Sequence, residues 1–248
     1  MLQGKVAAVS GAASKRGIGL ASARAMVAQG AKVAILDLDE SNAITAAEGL
    51  GEGHLGLACD VADRDACTRA IARIAEQLGP IDILVNNAGI TQPLKLMEIK
   101  PDDYDAVTDV NLRGTLQLSQ AVVPTMRERG SGSIICVSSV SAQRGGGIFG
   151  GPHYSAAKAG ILGLMRAMAR ELGPHGIRVN AVTPGLIETD ITGGLLTEGR
   201  KAEITRSIPL GRLGQPQDVA DICLFLASDL SAYVTGATID VNGGMHIH

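Results

Sequence analysis

Seven short aliphatic runs alternate with longer helical patterns along almost the whole 248-residue chain, and few folds satisfy that alternation. The runs fall at residues 5–10, 32–37, 55–59, 82–86, 133–138, 178–183 and 237–241. Most are continuously apolar, as strands covered on both faces should be. Helical patterns occupy residues 19–29, 39–50, 63–78, 102–129, 153–172 and 216–227. Repeated strand, helix, strand order implies right-handed crossovers and a parallel, doubly wound α/β sheet of about seven strands with helices on both faces. Its ligand crevice is expected beyond the carboxyl ends of the strands. Hydrophobic residues make up 46% of a chain with no Trp, two Phe and three Tyr, enough to fill one aliphatic core spanning residues 1–248. The irregular stretch 188–207 reads as a substrate-loop insertion, not a domain boundary.

The charge balance points away from nucleic acid. A net charge of −3 and few aromatics lack the basic clusters and stacking platforms such partners need. No apolar run is long enough to span a bilayer and the N-terminus lacks the apolar stretch of a signal peptide, so no membrane partner and a cytoplasmic location are expected. Cys59, Cys67, Cys136 and Cys223 show no CxxC pairing and are expected as buried, reduced thiols. No metal site is expected: the close pair His246 and His248 reads as a packed or frayed tail.

Chemistry concentrates where strands end. The first run leads into Gly11-Ala12-Ala13-Ser14-Lys15-Arg16-Gly17-Ile18-Gly19, which enters a helix. Glycines let a pyrophosphate approach the backbone, and the helix N-terminus offers unpaired N–H groups with partial positive charge. Asp37 ends the second run and can accept both hydroxyls of an adenosine ribose. A 2′-phosphate would meet like charge there, which favours NAD; Arg16, a possible partner for that phosphate, pulls toward NADP. At the other end, Tyr154 and Lys158 stand one helical turn apart, after the fifth run and its serines Ser138, Ser139 and Ser141. Asn111 sits inside a long helical stretch where Asn has poor propensity, suggesting a local backbone irregularity or a bound water.

Together with Asp60-Val61, Asn86-Asn87-Ala88-Gly89 and Pro184-Gly185 after other strands, these motifs make the chain resemble the classical short-chain dehydrogenases/reductases over essentially its whole length. The resemblance implies a Rossmann-like fold and hydride transfer between a nicotinamide cofactor, NAD rather than NADP, and a secondary alcohol or ketone. It implies Tyr154 as general acid/base, Lys158 as ribose ligand and pKa modulator, a serine on the substrate oxygen and Asn111 in a proton relay. It also places Asp60 and Val61 at the adenine, Asn87 and Gly89 along the cofactor's ribose, and Pro184, Gly185, Ile187 and Thr189 near the nicotinamide. The glycine turn is two residues longer than the common form, bringing in Lys15 and Arg16. The family's usual spacing selects Ser141 as the catalytic serine, whereas the strand register selects Ser139, which is favoured because a glycine-rich loop at 145–151 can absorb extra residues.

Residues 92–96, 141–152 and 189–207, all read as loops, are expected to wall the substrate site, with Gly193-Gly194 hinging an apolar segment that carries Leu195 and Leu196. The pattern is similar to 3-oxoacyl-carrier-protein reductases, for which Arg127 and Arg129 offer a docking surface to an acidic carrier; a polyol or hydroxy-acid dehydrogenase and a non-catalytic dinucleotide sensor are the alternatives. Small and apolar residues around most of the helix 153–172 predict a homo-oligomer, a tetramer by family resemblance.

Overall fold

The computed structural model describes residues 1–146, 149–190 and 198–248. Its strands are β1 (Val6–Ser10), β2 (Lys32–Asp37), β3 (Leu55–Ala58), β4 (Ile83–Asn86), β5 (Gly132–Val137), β6 (Ile177–Pro184) and β7 (Thr238–Val241). All pair in parallel, in the order β3-β2-β1-β4-β5-β6-β7, so the chain reverses its direction of travel across the sheet between β1 and β4. That reversal opens a crevice at the carboxyl ends of those two strands.

Why the runs are apolar throughout is visible in the packing. Successive strand side chains point to opposite faces, and each face has its own core. Ala8, Leu84, Ile134 and Val179 face helices α3 (Arg64–Gln77), α5 (Gly114–Arg129) and α7 (Pro152–Leu172), through residues such as Ile74, Leu118, Val122 and Met165. Val9, Ile35, Val85 and Ile135 face α1 (Ile18–Ala28), α2 (Glu40–Glu48) and α9 (Pro216–Ala227), through Met26, Ala43, Ala47, Cys223 and Leu226. All four cysteines are buried and unpaired by disulfides. No helix among the described residues is long and apolar enough to cross a membrane.

Three expectations are corrected. The stretch 102–129 is not one helix: α4 (Pro101–Thr108) runs into a π-helical turn at Asp109–Arg113 before α5. The segment after β5 begins not as loop but with one helical turn, α6 (Ser141–Arg144). The supposedly irregular stretch 188–207 contains α8 (Glu198–Arg206). Its charged, Gly-containing sequence hides that helix from a search for apolar periodicity. Residues 193–196, the expected apolar lid, lie outside the described residues.

Candidate active site

The glycine turn is held by three neighbouring segments. Gly11 has φ +60°, and a Cβ there would stand 2.7 Å from the Cα of Ala88, so only glycine lets β1 and the segment after β4 approach this closely. The Asn87 side-chain amide donates to the carbonyls of Ser10 and Gly11 at 2.9 and 2.8 Å, while the Ser10 hydroxyl accepts from the N–H groups of Asn87 and Ala88, both at 3.0 Å. Two carboxylates then grip the longer part of the turn. Asp37 accepts from Ala13 N at 2.9 Å; Asp190, after β6, accepts from Ser14 Oγ at 2.9 Å, Arg16 N at 3.3 Å and Arg16 Nε at 2.8 Å. The Arg16 guanidinium and the Ser14 hydroxyl hold the Asp190 carboxyl below its usual range. Beyond the turn, α1 starts with Gly17 at its N-cap and no side-chain cap, which leaves its first N–H groups available to an anion.

The opposite wall is built around α7. Lys158 is buried, its ammonium donating to the carbonyl of Val137 at 2.9 Å and lying 5.7 Å from the centre of the Tyr154 ring. Burial lowers the Lys158 pKa to about 8 and pushes the Tyr154 phenol above its ordinary value; hydrogen bonding from Ser139 opposes the latter shift. Ser139 Oγ accepts from Ser141 N at 3.1 Å. Ser138 donates to the carbonyl of Lys158 at 2.7 Å, tying the end of β5 to α7.

Asn111 lies in the π turn and is fully buried. The wider turn displaces the regular ladder, and the side chains around it take up backbone groups. Asn111 Nδ2 donates to the carbonyls of Val107 and Ile90 at 2.8 and 2.9 Å, and Thr115 donates to the Asn111 carbonyl at 2.8 Å. Asn111 Oδ1 has no hydrogen-bond partner among the described residues. A Cβ on Gly89 would sit 2.7 Å from that oxygen and 3.3 Å from Lys158 Nζ, so glycine at 89 keeps the two groups facing one space. The local irregularity expected from Asn111 is therefore present.

One cavity of about 700 Å³ joins the two walls. Of the residues singled out in the sequence, Gly11, Ser14, Gly17, Ile18, Asp37, Asp60, Val61, Asn87, Gly89, Asn111, Ser139, Ser141, Tyr154, Lys158, Pro184, Gly185, Ile187 and Thr189 all line it. Gly19 and Arg16 do not. Gly19 is buried against Asn87 and Ala12, and Arg16 turns outward to Asp190. The expected wall at 92–96 is replaced by Ile90 and Thr91, because Gln92 is drawn away to the His153 ring at 3.0 Å. Arg129 is not free for a partner: it pairs with Asp82 and donates to the carbonyl of Ile81. At the C-terminal tail Ile247 and His248 are exposed, His248 lying 3.2 Å from Asp240 and edge-on to the His246 ring, and among the described residues no cluster of metal-ligating side chains occurs.

Leu38 and Met245 also line the cavity outside every expected segment, while Asp190 and Ile204 line it within the expected wall 189–207 but with no role assigned to either from the sequence. For Asp190 there was a signal: two cations in an extended turn need a counter-charge, and the segment after β6 is where an α/β crevice can supply it. Met245 follows the last strand, and nothing in its local sequence marks it.

A family profile described as Enoyl-(Acyl carrier protein) reductase matches residues 11–246. Over their full lengths, the chain is 60% identical to an uncharacterized short-chain type dehydrogenase/reductase of Sinorhizobium fredii. It is 44% identical to a 3-oxoacyl-[acyl-carrier-protein] reductase of Thermotoga maritima, covering 99% of each chain. The corresponding Escherichia coli reductase is 42% identical, with 99% of this chain and 98% of the other covered. A crystal structure of a short-chain type dehydrogenase/reductase from Mycobacterium marinum superposes with a TM-score of 0.93 at 34% identity, covering 100% of this chain and 97% of that one. Parallel sheet, glycine turn and matched relatives agree on an oxidoreductase that uses a nicotinamide cofactor on a small molecule, and the chain belongs to the classical short-chain dehydrogenase/reductase family.

Proposed function

We propose that the protein interconverts a secondary alcohol and a ketone with NAD, using Tyr154 as general acid/base. The observation that carries this reading is the convergence of Tyr154, Lys158, Ser139 and Asn111 on one end of a cavity whose other end is the glycine turn. A dinucleotide fits the residues present: the uncapped start of α1 suits its pyrophosphate, and Asp37 at the end of β2 suits its adenosine ribose. When bound, the nicotinamide supplies or accepts the hydride.

The chain's own part is to move a proton and to hold the oxygen that changes charge. In reduction, Tyr154 gives its phenolic proton to the carbonyl oxygen, while the Ser139 hydroxyl donates to the same oxygen. In oxidation, the phenol must become a base near pH 7, which takes about 4 kcal/mol relative to its ordinary pKa of about 10. Lys158 contributes to that as a cation: with a pKa near 8 it is still mostly protonated at neutral pH. Asn111 Oδ1 and the Lys158 ammonium, facing one space across Gly89, form the inner end of a relay that returns the proton to Tyr154.

Ser139 is favoured over Ser141 because Ser139 acts on the phenol, whereas Ser141 opens α6 and spends its N–H on Ser139. Ser139→Ala is expected to lower kcat by about two orders of magnitude and Ser141→Ala by less than about tenfold, measured as initial rates at saturating cofactor. The reverse ranking would move the oxygen-binding role to Ser141.

For the substrate, Val140, Phe149, Leu186, Ile204 and Met245 give the reacting end an apolar wall, which suits an acyl chain beside the carbonyl. The 3-oxoacyl-carrier-protein reductases among the relatives favour the same class, as a second reading with NADPH. A matrix of NADH and NADPH against a 3-oxoacyl thioester, a simple ketone and a polyol separates these. Higher kcat/KM with NADH is the expected result, and a strong NADPH preference would assign the alternative. No nicotinamide absorbance change with any substrate would favour a dinucleotide sensor. We also propose a homotetramer assembled through α7, whose outward face carries the small residues Ala156, Ala159, Gly163 and Ala167.

A further inference from the structure

We infer that Asp190 is a cofactor-specificity residue: by holding Arg16 against the segment after β6, it withholds from a 2′-phosphate the guanidinium that would otherwise serve it. The inference rests on the NAD reading above and adds to it a second residue, remote from Asp37.

The geometry is specific. Asp37, which would face the ribose, is followed by Leu38 and Asp39, so the end of β2 supplies no cation. The bases near it come from the extended turn, whose Ala13 N–H is already on Asp37. Three bonds then draw that turn toward Asp190: from Ser14 Oγ, from Arg16 N and from Arg16 Nε. Two of them engage the backbone and the short side chain, so they set the direction in which residue 16 leaves the turn, not merely the position of its guanidinium. Glu188 adds a second carboxylate whose charge Arg16 feels. Asp190 itself lines the cavity, while Arg16 stays outside its lining. Sequence proximity would offer Arg16 to a phosphate; the ion pair commits it elsewhere. An exposed ion pair by itself contributes little to stability, so its effect is expected in the choice of ligand.

The test uses wild type, Asp190→Asn, Arg16→Ala and the double variant. The dissociation constants of NADH and NADPH are measured by titration calorimetry, alongside kcat/KM with each cofactor. Asn at 190 retains hydrogen-bonding atoms but releases the guanidinium, which can then pair with phosphate. The ratio of the NADPH to the NADH dissociation constant is expected to fall by about tenfold or more in Asp190→Asn, equivalent to about 1.4 kcal/mol. The shift should vanish in the double variant. Proportional weakening of both cofactors would make Asp190 a purely structural brace and overturn the inference. A shift that survives in the double variant would also overturn it, by assigning the effect to Lys15 or to the carboxylate's own repulsion. A wild-type preference for NADPH would sink the cofactor reading, while the change in ratio on Asp190→Asn still decides the role of Asp190.

Discussion

Tyr154→Phe is expected to lower kcat by about three orders of magnitude, within the range a positioned acid/base contributes, with the NADH dissociation constant changed by no more than a few-fold. The substitution removes one oxygen and keeps the ring that stands 5.7 Å from the Lys158 ammonium, so cavity and cofactor wall should be preserved. The loss should appear equally in kcat and kcat/KM, because the missing interaction is made in the transition state. Single-turnover measurement of hydride transfer, with calorimetric binding as the control, checks this. Undiminished turnover in the variant would remove Tyr154 from the reaction altogether.

Lys158→Met is expected to abolish most activity and yet make the cofactor-free protein more stable at neutral pH. The ammonium is buried, and its pKa falls from 10.5 to about 8. Below pH 8 both folded and unfolded chains carry the proton, so the full penalty of burying the charge, on the order of 3 kcal/mol, opposes folding. Between about pH 8 and 10.5 the unfolded chain binds more protons than the folded one, and wild-type stability rises with pH across that window. Met removes the charge at similar length but forfeits the bond from the charged donor to the Val137 carbonyl, worth about 2 kcal/mol. A net gain on the order of 1 kcal/mol at pH 7, with the stability rise above pH 8 lost, follows from those two terms. kcat/KM should fall by at least about a hundredfold. Urea unfolding at pH 7 and pH 9.5 checks the stability claim, and a destabilised variant at pH 7 would show that the ammonium is well solvated. A side chain that opposes folding in the free protein is the kind of trade a functional site makes.

The stretch 102–129, expected as one helix, shows where reading the chain locally stops. The backbone stays helical through the π turn, so no proline or loop signal separates its two halves, and Asn111, a poor helix former, marks the place. Helix α8 was missed for the opposite reason: charged positions at Lys201, Glu203 and Arg206 leave too little apolar stripe to register. At the site, the strand ends were legible because Gly, Asn, Asp and Ser clusters interrupt aliphatic runs, and nearly every residue proposed there lines the cavity. Arg16 was legible as a charge but not as a direction.

Fold, crevice and the identities of the groups that meet there were carried by the chain itself, because strand and helix periods and turn chemistry are properties of neighbouring residues. What Arg16 pairs with, which serine stands against the Tyr154 phenol, and how far Lys158 is stripped of water were decided by packing. Asp190 reaches Arg16 across 174 residues of sequence, and Val137 meets Lys158 across 21. A side chain's partner and its hydration depend on which distant segments the sheet brings together, and no local pattern contains that information.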